Sequence, residues 1–110
     1  IVSIGTILSV NQIREALNRT KAKVVAVSPI VAGAPIKGPA DKMLQAAGIE
    51  VSAYGVAKLY SDFLDEIIID NKDEAEKERI EKLGINVTVT NTIMKTFEDK
   101  VLLAKAVLEI

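Results

Sequence analysis

The apolar residues of this chain switch between two spacings as the sequence is read from one end to the other. Lys23-Val24-Val25-Ala26-Val27-Ser28 is a short β-branched run without polar alternation, the pattern of a strand buried on both faces of a parallel sheet. Glu66-Ile67-Ile68-Ile69-Asp70 repeats it, and residues 85–90 form a third such strand. Between these runs the spacing turns helical. Ile13, Ala16 and Leu17 share one face of a helix ending near Arg19, opened by Ser9 and Gln12 at capping-box spacing. Val56, Leu59, Tyr60 and Phe63 mark a helix over residues 54–64. Val101, Leu102, Ala104, Lys105 and Leu108 mark a last one, with Thr96 and Asp99 as its cap. Strand, helix, strand, helix, strand, helix predicts an α/β fold: a Rossmann-like parallel sheet with crossover helices.

Glycine and proline place the connections. Residues 29–38 hold two Gly and two Pro and read as a loop. Gly38-Pro39-Ala40-Asp41 opens a helix, with Pro39 suited to its first turn and Asp41 complementing its dipole. Gly48 is its stop. Residues 49–52 read as a short strand, and residues 71–73 turn into a charged helix ending near Leu83, with Gly84 as its stop. Ala47-Gly48-Ile49-Glu50-Val51 echoes Leu83-Gly84-Ile85-Asn86-Val87, which predicts two instances of one helix-to-strand turn rather than an internal repeat.

Composition narrows the function classes. At 110 residues the chain amounts to one small domain, and 49% apolar with 26% charged residues is the balance of a soluble globular one. Tyr54, Tyr60, Phe63 and Phe97 are its only aromatics, so the core must be aliphatic. A net charge of −1 without a basic block argues against nucleic acid as partner. The absence of Cys and His excludes disulfides, thiolate or imidazole metal ligands, and Cys–His or Ser–His catalysis within these residues. No apolar run approaches the roughly 18–20 residues of a membrane span. A cytoplasmic location is the expectation. The chain begins at Ile1 within an apolar run, as a fragment of something longer would.

In open parallel sheets ligands bind beyond the carboxyl ends of the strands. Here those ends are residues 28–38, 70–73 and 90–92, all with small, polar or charged groups. In the first, glycines allow close backbone approach, the helix at Pro39 aims free N–H groups at the loop, and Lys37 adds a cation. That combination suits a phosphate, although residues 33–38 are not a Walker A loop; an ordinary strand-to-helix connection would look the same. Thr90, Asn91 and Thr92 could donate hydrogen bonds or simply make a turn. Asp70, Asp73 and Glu74 could serve a metal or a proton transfer, but Asp73 and Glu74 fit the first turn of a helix better. The charge run over residues 73–82 reads as a solvated helix face.

Val24-Val25-Ala26-Val27-Ser28-Pro29-Ile30-Val31, Gly38-Pro39-Ala40-Asp41-Lys42-Met43, Gly55-Val56-Ala57-Lys58 and Thr90-Asn91-Thr92-Ile93-Met94 occur in the order and spacing of one family. They resemble the C-terminal part of the 2-phospho-L-lactate transferases of coenzyme F-420 biosynthesis. Ser3-Ile4-Gly5-Thr6-Ile7-Leu8 resembles the stretch that follows that family's substrate loop. The resemblance covers essentially the whole chain, making residues 1–110 the C-terminal part of one α/β transferase domain, an incomplete half of a larger three-layer fold. It implies transfer of a 2-phospholactyl group from a guanosine-diphosphate-linked donor to a deazaflavin alcohol, with release of GMP and a requirement for Mg2+. It places Ser28, Gly33, Lys37, Gly38 and Ala40 on the donor side, Ser3 and Gly5 in the substrate loop, and Thr90 and Thr92 at the neighbouring strand end. Catalytic and metal-binding residues are expected upstream, leaving this stretch inactive alone. The competing reading is a non-catalytic nucleotide-binding regulatory module of the related gluconeogenesis-factor type. The oligomeric state is open, and a homodimer is compatible with the sequence.

Overall fold

The structure, a computed structural model, describes Ile4, residues 7–35 and residues 38–110. Helix α1 (Asn11–Arg19) leads to strand β1 (Val25–Val27) and a hairpin of β2 (Ile30–Val31) and β3 (Ala34–Pro35). Helices α2 (Ala40–Ala46) and α3 (Ala53–Leu59) follow, then β4 (Glu66–Asp70). A 3-10 helix (Asn71–Glu76) runs into α4 (Lys77–Glu81), and β5 (Asn86–Thr90) and α5 (Phe97–Leu108) complete the chain.

Strands β1, β4 and β5 form a parallel three-stranded sheet in the order β1-β4-β5, the α/β architecture that the alternation of periods predicts. Val27 pairs with Ile68, and Asp70 with Thr90, so the three carboxyl ends share one rim. Strand β4 lies in the middle with all five residues buried. Ile67 and Ile69 point into the main core, which they share with Ile30, Leu44, Val56, Ile80 and Ile85. Glu66, Ile68 and Asp70 take the opposite face by the period of two. There the buried Glu66 carboxylate accepts a hydrogen bond from Thr88 Oγ1 on β5 at 2.5 Å.

Local chemistry explains most boundaries. Gly48, at φ +72, ends α2: Ile49 N–H reaches back to the Leu44 carbonyl (2.9 Å) and Gly48 N–H to that of Gln45 (3.0 Å). This is a Schellman closure, with Ile49 and Leu44 both at the core. Thr96 and Asp99 form a complete capping box at the start of α5. Replacing Thr96 by alanine is expected to cost about 1 kcal/mol, read as a lower midpoint of urea unfolding.

Several expectations need correction, among them the helix over residues 54–64, which spans Ala53–Leu59. Helix α1 begins at Asn11 with Val10, not Ser9, in the cap position. Strand β1 is not buried on both faces: among the described strands it pairs only with β4, and Val27 is 40% exposed. Residues 29–38 are not a plain loop, because the antiparallel β2–β3 hairpin forms inside them. Residues 49–52 are not a strand. The Ser52 hydroxyl instead accepts the Gly55 N–H at 2.9 Å and caps α3, a use of serine that competes with strand pairing. The turn at Gly48 and that at Gly84 thus share a positive φ, but only the second feeds a strand.

Candidate functional site

The carboxyl rim of the sheet is organised by Asp70, the last residue of β4. It is 3% exposed. Its Oδ1 accepts both the N–H (2.9 Å) and the hydroxyl (3.1 Å) of Thr92, and its Oδ2 accepts the N–H of Lys72 (3.0 Å). Burial pushes this carboxyl up, but the Thr92 and Lys72 hydrogen bonds and the Lys72 charge outweigh it and hold Asp70 below its ordinary range. Asp70 is therefore an ionised staple between the ends of β4 and β5.

Beside this staple lies an open crevice of about 290 Å3, lined by Asp70, Asn71, Lys72, Asn91, Ile93, Lys95 and Asp99. The loop from β5 to α5 is shaped by its own polar groups. Asn91 Oδ1 accepts the Ile93 N–H (3.0 Å), and Asp99 Oδ2 accepts the N–H groups of Lys95 (3.0 Å) and Thr96 (3.2 Å). Neither Lys72 nor Lys95 belongs to an ion pair among the described residues. The crevice thus sets two lysines, two amides and the carboxylates of Asp70 and Asp99 where a parallel sheet ordinarily receives its ligand, with one Asn91 Nδ2 hydrogen already given to Asp99 Oδ1 (3.4 Å). Sequence reasoning passed over both lysines, because each is a lone Lys after a strand with no motif around it.

The sequence-predicted residues divide. Thr90 ends β5 and Thr92 binds Asp70, so both flank the crevice, while Asn91 between them lines it. Ser28 lies just past the end of β1 and is buried; its N–H extends the ladder to the Ile68 carbonyl (2.9 Å). Its hydroxyl turns back on Ile30, donating to the carbonyl at 3.1 Å and accepting the N–H at 3.2 Å. Ser28 thereby starts the hairpin. Gly33 sits in the hairpin turn, its missing Cβ 3.9 Å from the Val51 carbonyl oxygen. Among the described residues a Cβ added at Gly38, itself at φ +80, would meet nothing within 4 Å, and Ala40 packs against the core. Helix α2 is only about 10 Å long, so its dipole ends partly cancel and favour an anion weakly. Ser3, Gly5 and Lys37 lie outside the described residues.

The acidic residues do not assemble a metal site: no group of three or more Asp or Glu among the described residues could hold an ion. Asp70 spends its oxygens on Thr92 and Lys72, and Asp73 spends both of its own on the Ala32 N–H. The Mg2+ that the resemblance implies finds no ligand set here.

A larger cavity of about 410 Å3 opens beside β1, lined by Ile7, Leu8, Leu17, Val25, Val27 and Phe63 among others. Among the described residues Tyr60 is the only lining side chain with a polar group, too few to orient a reacting molecule. Among the described residues no helix is long and apolar enough to cross a membrane.

A family model described as 2-phospho-L-lactate transferase CofD matches residues 1–104. The chain is 48% identical over 109 residues to the 2-phospho-L-lactate transferase of Methanocaldococcus jannaschii, covering 99% of this chain and 33% of that protein. It is 46% identical to the 2-phospho-L-lactate transferase of Methanosarcina mazei, with 99% and 35% covered. For that of Methanothermobacter thermautotrophicus the identity is 43%, with 98% and 35% covered. The chain spans about a third of the length of the curated relatives it matches.

Proposed function

Since this chain belongs to the 2-phospho-L-lactate transferase CofD family, we propose that it supplies the phosphate-binding rim of an enzyme of coenzyme F-420 biosynthesis, one that moves a 2-phospholactyl group from a guanosine-diphosphate-linked donor to a deazaflavin alcohol. The observation that carries this reading is the polar crevice at the ends of β4 and β5, with Lys72 and Lys95 free of ion pairs beside the Asp70–Thr92 staple.

The chemistry needs little from the protein beyond placement and charge. The deazaflavin hydroxyl oxygen bonds to the phosphorus that carries the lactyl group. The bond from that phosphorus to the bridging oxygen of the diphosphate breaks, and GMP leaves with the electron pair. The hydroxyl proton passes to a base outside the described residues or to water. Charge develops on the bridging oxygen as the bond breaks, and cations fixed next to it lower the barrier. Lys72 and Lys95 have that role in this reading, with Asn71 and Asn91 donating to phosphate oxygens.

Ser28, Gly33, Lys37, Gly38 and Ala40 are assigned to the donor-side loop that follows β1, Thr90 and Thr92 to the crevice wall, and Ser3 and Gly5 to the substrate loop. The Mg2+ site and the deazaflavin pocket are assigned to the rest of a longer protein. A cytoplasmic location is part of the same reading.

The test is transfer by the full-length protein, followed as GMP release from the guanosine donor in the presence of the deazaflavin alcohol and Mg2+. Lys72→Ala and Lys95→Ala are each expected to lower kcat/KM for the donor by about tenfold, the size of one lost charge-assisted hydrogen bond. Unchanged kcat/KM in both variants removes the crevice from the site. Nucleotide binding without turnover in the wild type would favour the regulatory module instead.

A further inference from the structure

The hairpin that follows β1 is held by a residue far away in sequence. Asp73, in the 3-10 helix after β4, is 4% exposed, and both its carboxylate oxygens accept the N–H of Ala32, at 3.0 and 3.2 Å. Ala32 is no ordinary turn residue. It has φ 51, the one positive value for a non-glycine residue among those described, and Gly33 follows at φ 79. Two successive left-handed residues make the tight turn of a two-residue hairpin. Alanine is a poor choice for the first of them, because its Cβ crowds the following carbonyl. A strained turn persists only when its surroundings over-determine it, and here the surrounding group is Asp73.

The same 3-10 helix grips a second segment. Glu76 Oε1 accepts the N–H of Tyr54 at the start of α3, at 3.1 Å. Burial pushes the Glu76 carboxyl up, and the Asp73 charge and a hydrogen bond with Asp73 push it further, while the Tyr54 N–H and Arg79 oppose. Two facing carboxyls therefore join the end of β4 to the hairpin and to α3.

We propose that Asp73 is a positioning residue for the donor side of the site, fixing the Ala32–Gly33 turn and through it the hairpin from Ile30 to Pro35. The hairpin follows Ser28 directly and runs to Pro35. A latch on its turn therefore sets where this donor-side segment lies relative to the end of β4, which lines the crevice. The latch belongs to the geometry alone; its consequence for the donor rests on the reading of the site given above.

The two halves are tested separately in the full-length protein. Amide hydrogen exchange reads the latch. In Asp73→Ala, peptides spanning residues 30–35 should lose protection by about tenfold or more, while peptides of β4 and β5 keep theirs. Asp73→Asn retains one oxygen able to accept the Ala32 N–H and should restore part of the protection; it also serves if the alanine variant fails to fold. Steady-state transfer reads the consequence: the donor KM should rise by about tenfold with kcat within about twofold, and Asp73→Asn should fall between. Unchanged exchange over residues 30–35 overturns the latch. Altered exchange with an unchanged donor KM overturns the positioning role. A wild-type protein that does not use the guanosine donor overturns the donor reading before any variant is compared, and exchange still decides the latch.

Discussion

Replacing Gly55 by alanine is expected to destabilise the fold by more than about 3 kcal/mol. A Cβ built on Gly55 would lie 1.9 Å from the Glu50 carbonyl oxygen, 2.9 Å from the Glu50 carbonyl carbon and 3.2 Å from Ile49 Cγ2. The first two are backbone atoms and cannot swing aside. Nor can the helix retreat, because Ala53 and Ala57 on either side are fully buried and Val56 is 2% exposed. The Glu50 backbone is held in turn by its side chain, which takes the Ser52 hydroxyl (2.5 Å) and both terminal nitrogens of Arg79 (3.2 and 3.3 Å). Overpacking a core that can relax costs about 1–3 kcal/mol; a clash against fixed backbone should exceed about 3 kcal/mol, a large share of the total stability of a small domain. Intrinsic helix propensity points the other way and would favour alanine by about 1 kcal/mol, so the sign of the result discriminates. Urea unfolding decides it: a variant as stable as the wild type would mean that residues 49–52 can move away from α3.

That glycine illustrates what the sequence could and could not disclose. Strand β4 was legible because three consecutive isoleucines bounded by acids suit a strand buried on both faces, and its bounds came out as Glu66–Asp70. The start of α5 was legible because Thr96 and Asp99 carry their own instructions at the right spacing. Signals confined to a few neighbouring residues are readable wherever tertiary contacts agree with them. The hairpin was not readable. Its turn uses Ala32, which no turn rule favours at positive φ, and the reason for it sits 41 residues later in Asp73. Residues 49–52 looked like a strand from their apolar members, yet Ser52 is spent as a helix cap and Glu50 on Arg79. The close approach at Gly55 left no trace beyond a glycine in a helical pattern.

The site divides in the same way. Topology alone fixes that polar residues after β1, β4 and β5 meet on one rim, and the register between Asp70 and Thr90 bears this out. Which of them face open space is a matter of side-chain direction. The glycines and prolines of residues 29–38 mark themselves in the sequence because backbone permissiveness does, whereas a lone lysine such as Lys72 or Lys95 leaves no mark. The structure turns the Ser28 hydroxyl back onto Ile30 and leaves Lys72 and Lys95 around the crevice.

The largest effect at the rim is expected from Asp70→Ala. The substitution strips the acceptor from three donors at once: the N–H and hydroxyl of Thr92 and the N–H of Lys72. Thr92 is 2% exposed, so water cannot readily replace the carboxylate there. An unsatisfied buried donor costs about 1–3 kcal/mol, and with Lys72 nearer the surface the total should be about 2–4 kcal/mol, accompanied by loss of order in the crevice wall. The pH dependence follows from the direction of the shift. Asp70 is held below its ordinary value of 3.8, so its contribution is fully present above that pH and is lost as pH falls through the folded-state value. The gap between wild type and Asp70→Ala should therefore be constant near neutrality and narrow as pH falls below about 3.8. Glu76 has the opposite sign. Raised above its ordinary 4.5 by burial first and by Asp73 next, it costs stability as pH rises from 4.5 through its folded-state value. Mild acidification of the wild type should thus gain from Glu76 before it loses from Asp70, and Glu76→Gln should remove the gain while leaving the acid limb in place. Urea midpoints measured from pH 7 downward separate the two groups. A gap at Asp70→Ala that persists undiminished well below pH 3.8 would mean that its carboxylate is not what holds the ends of β4 and β5 together.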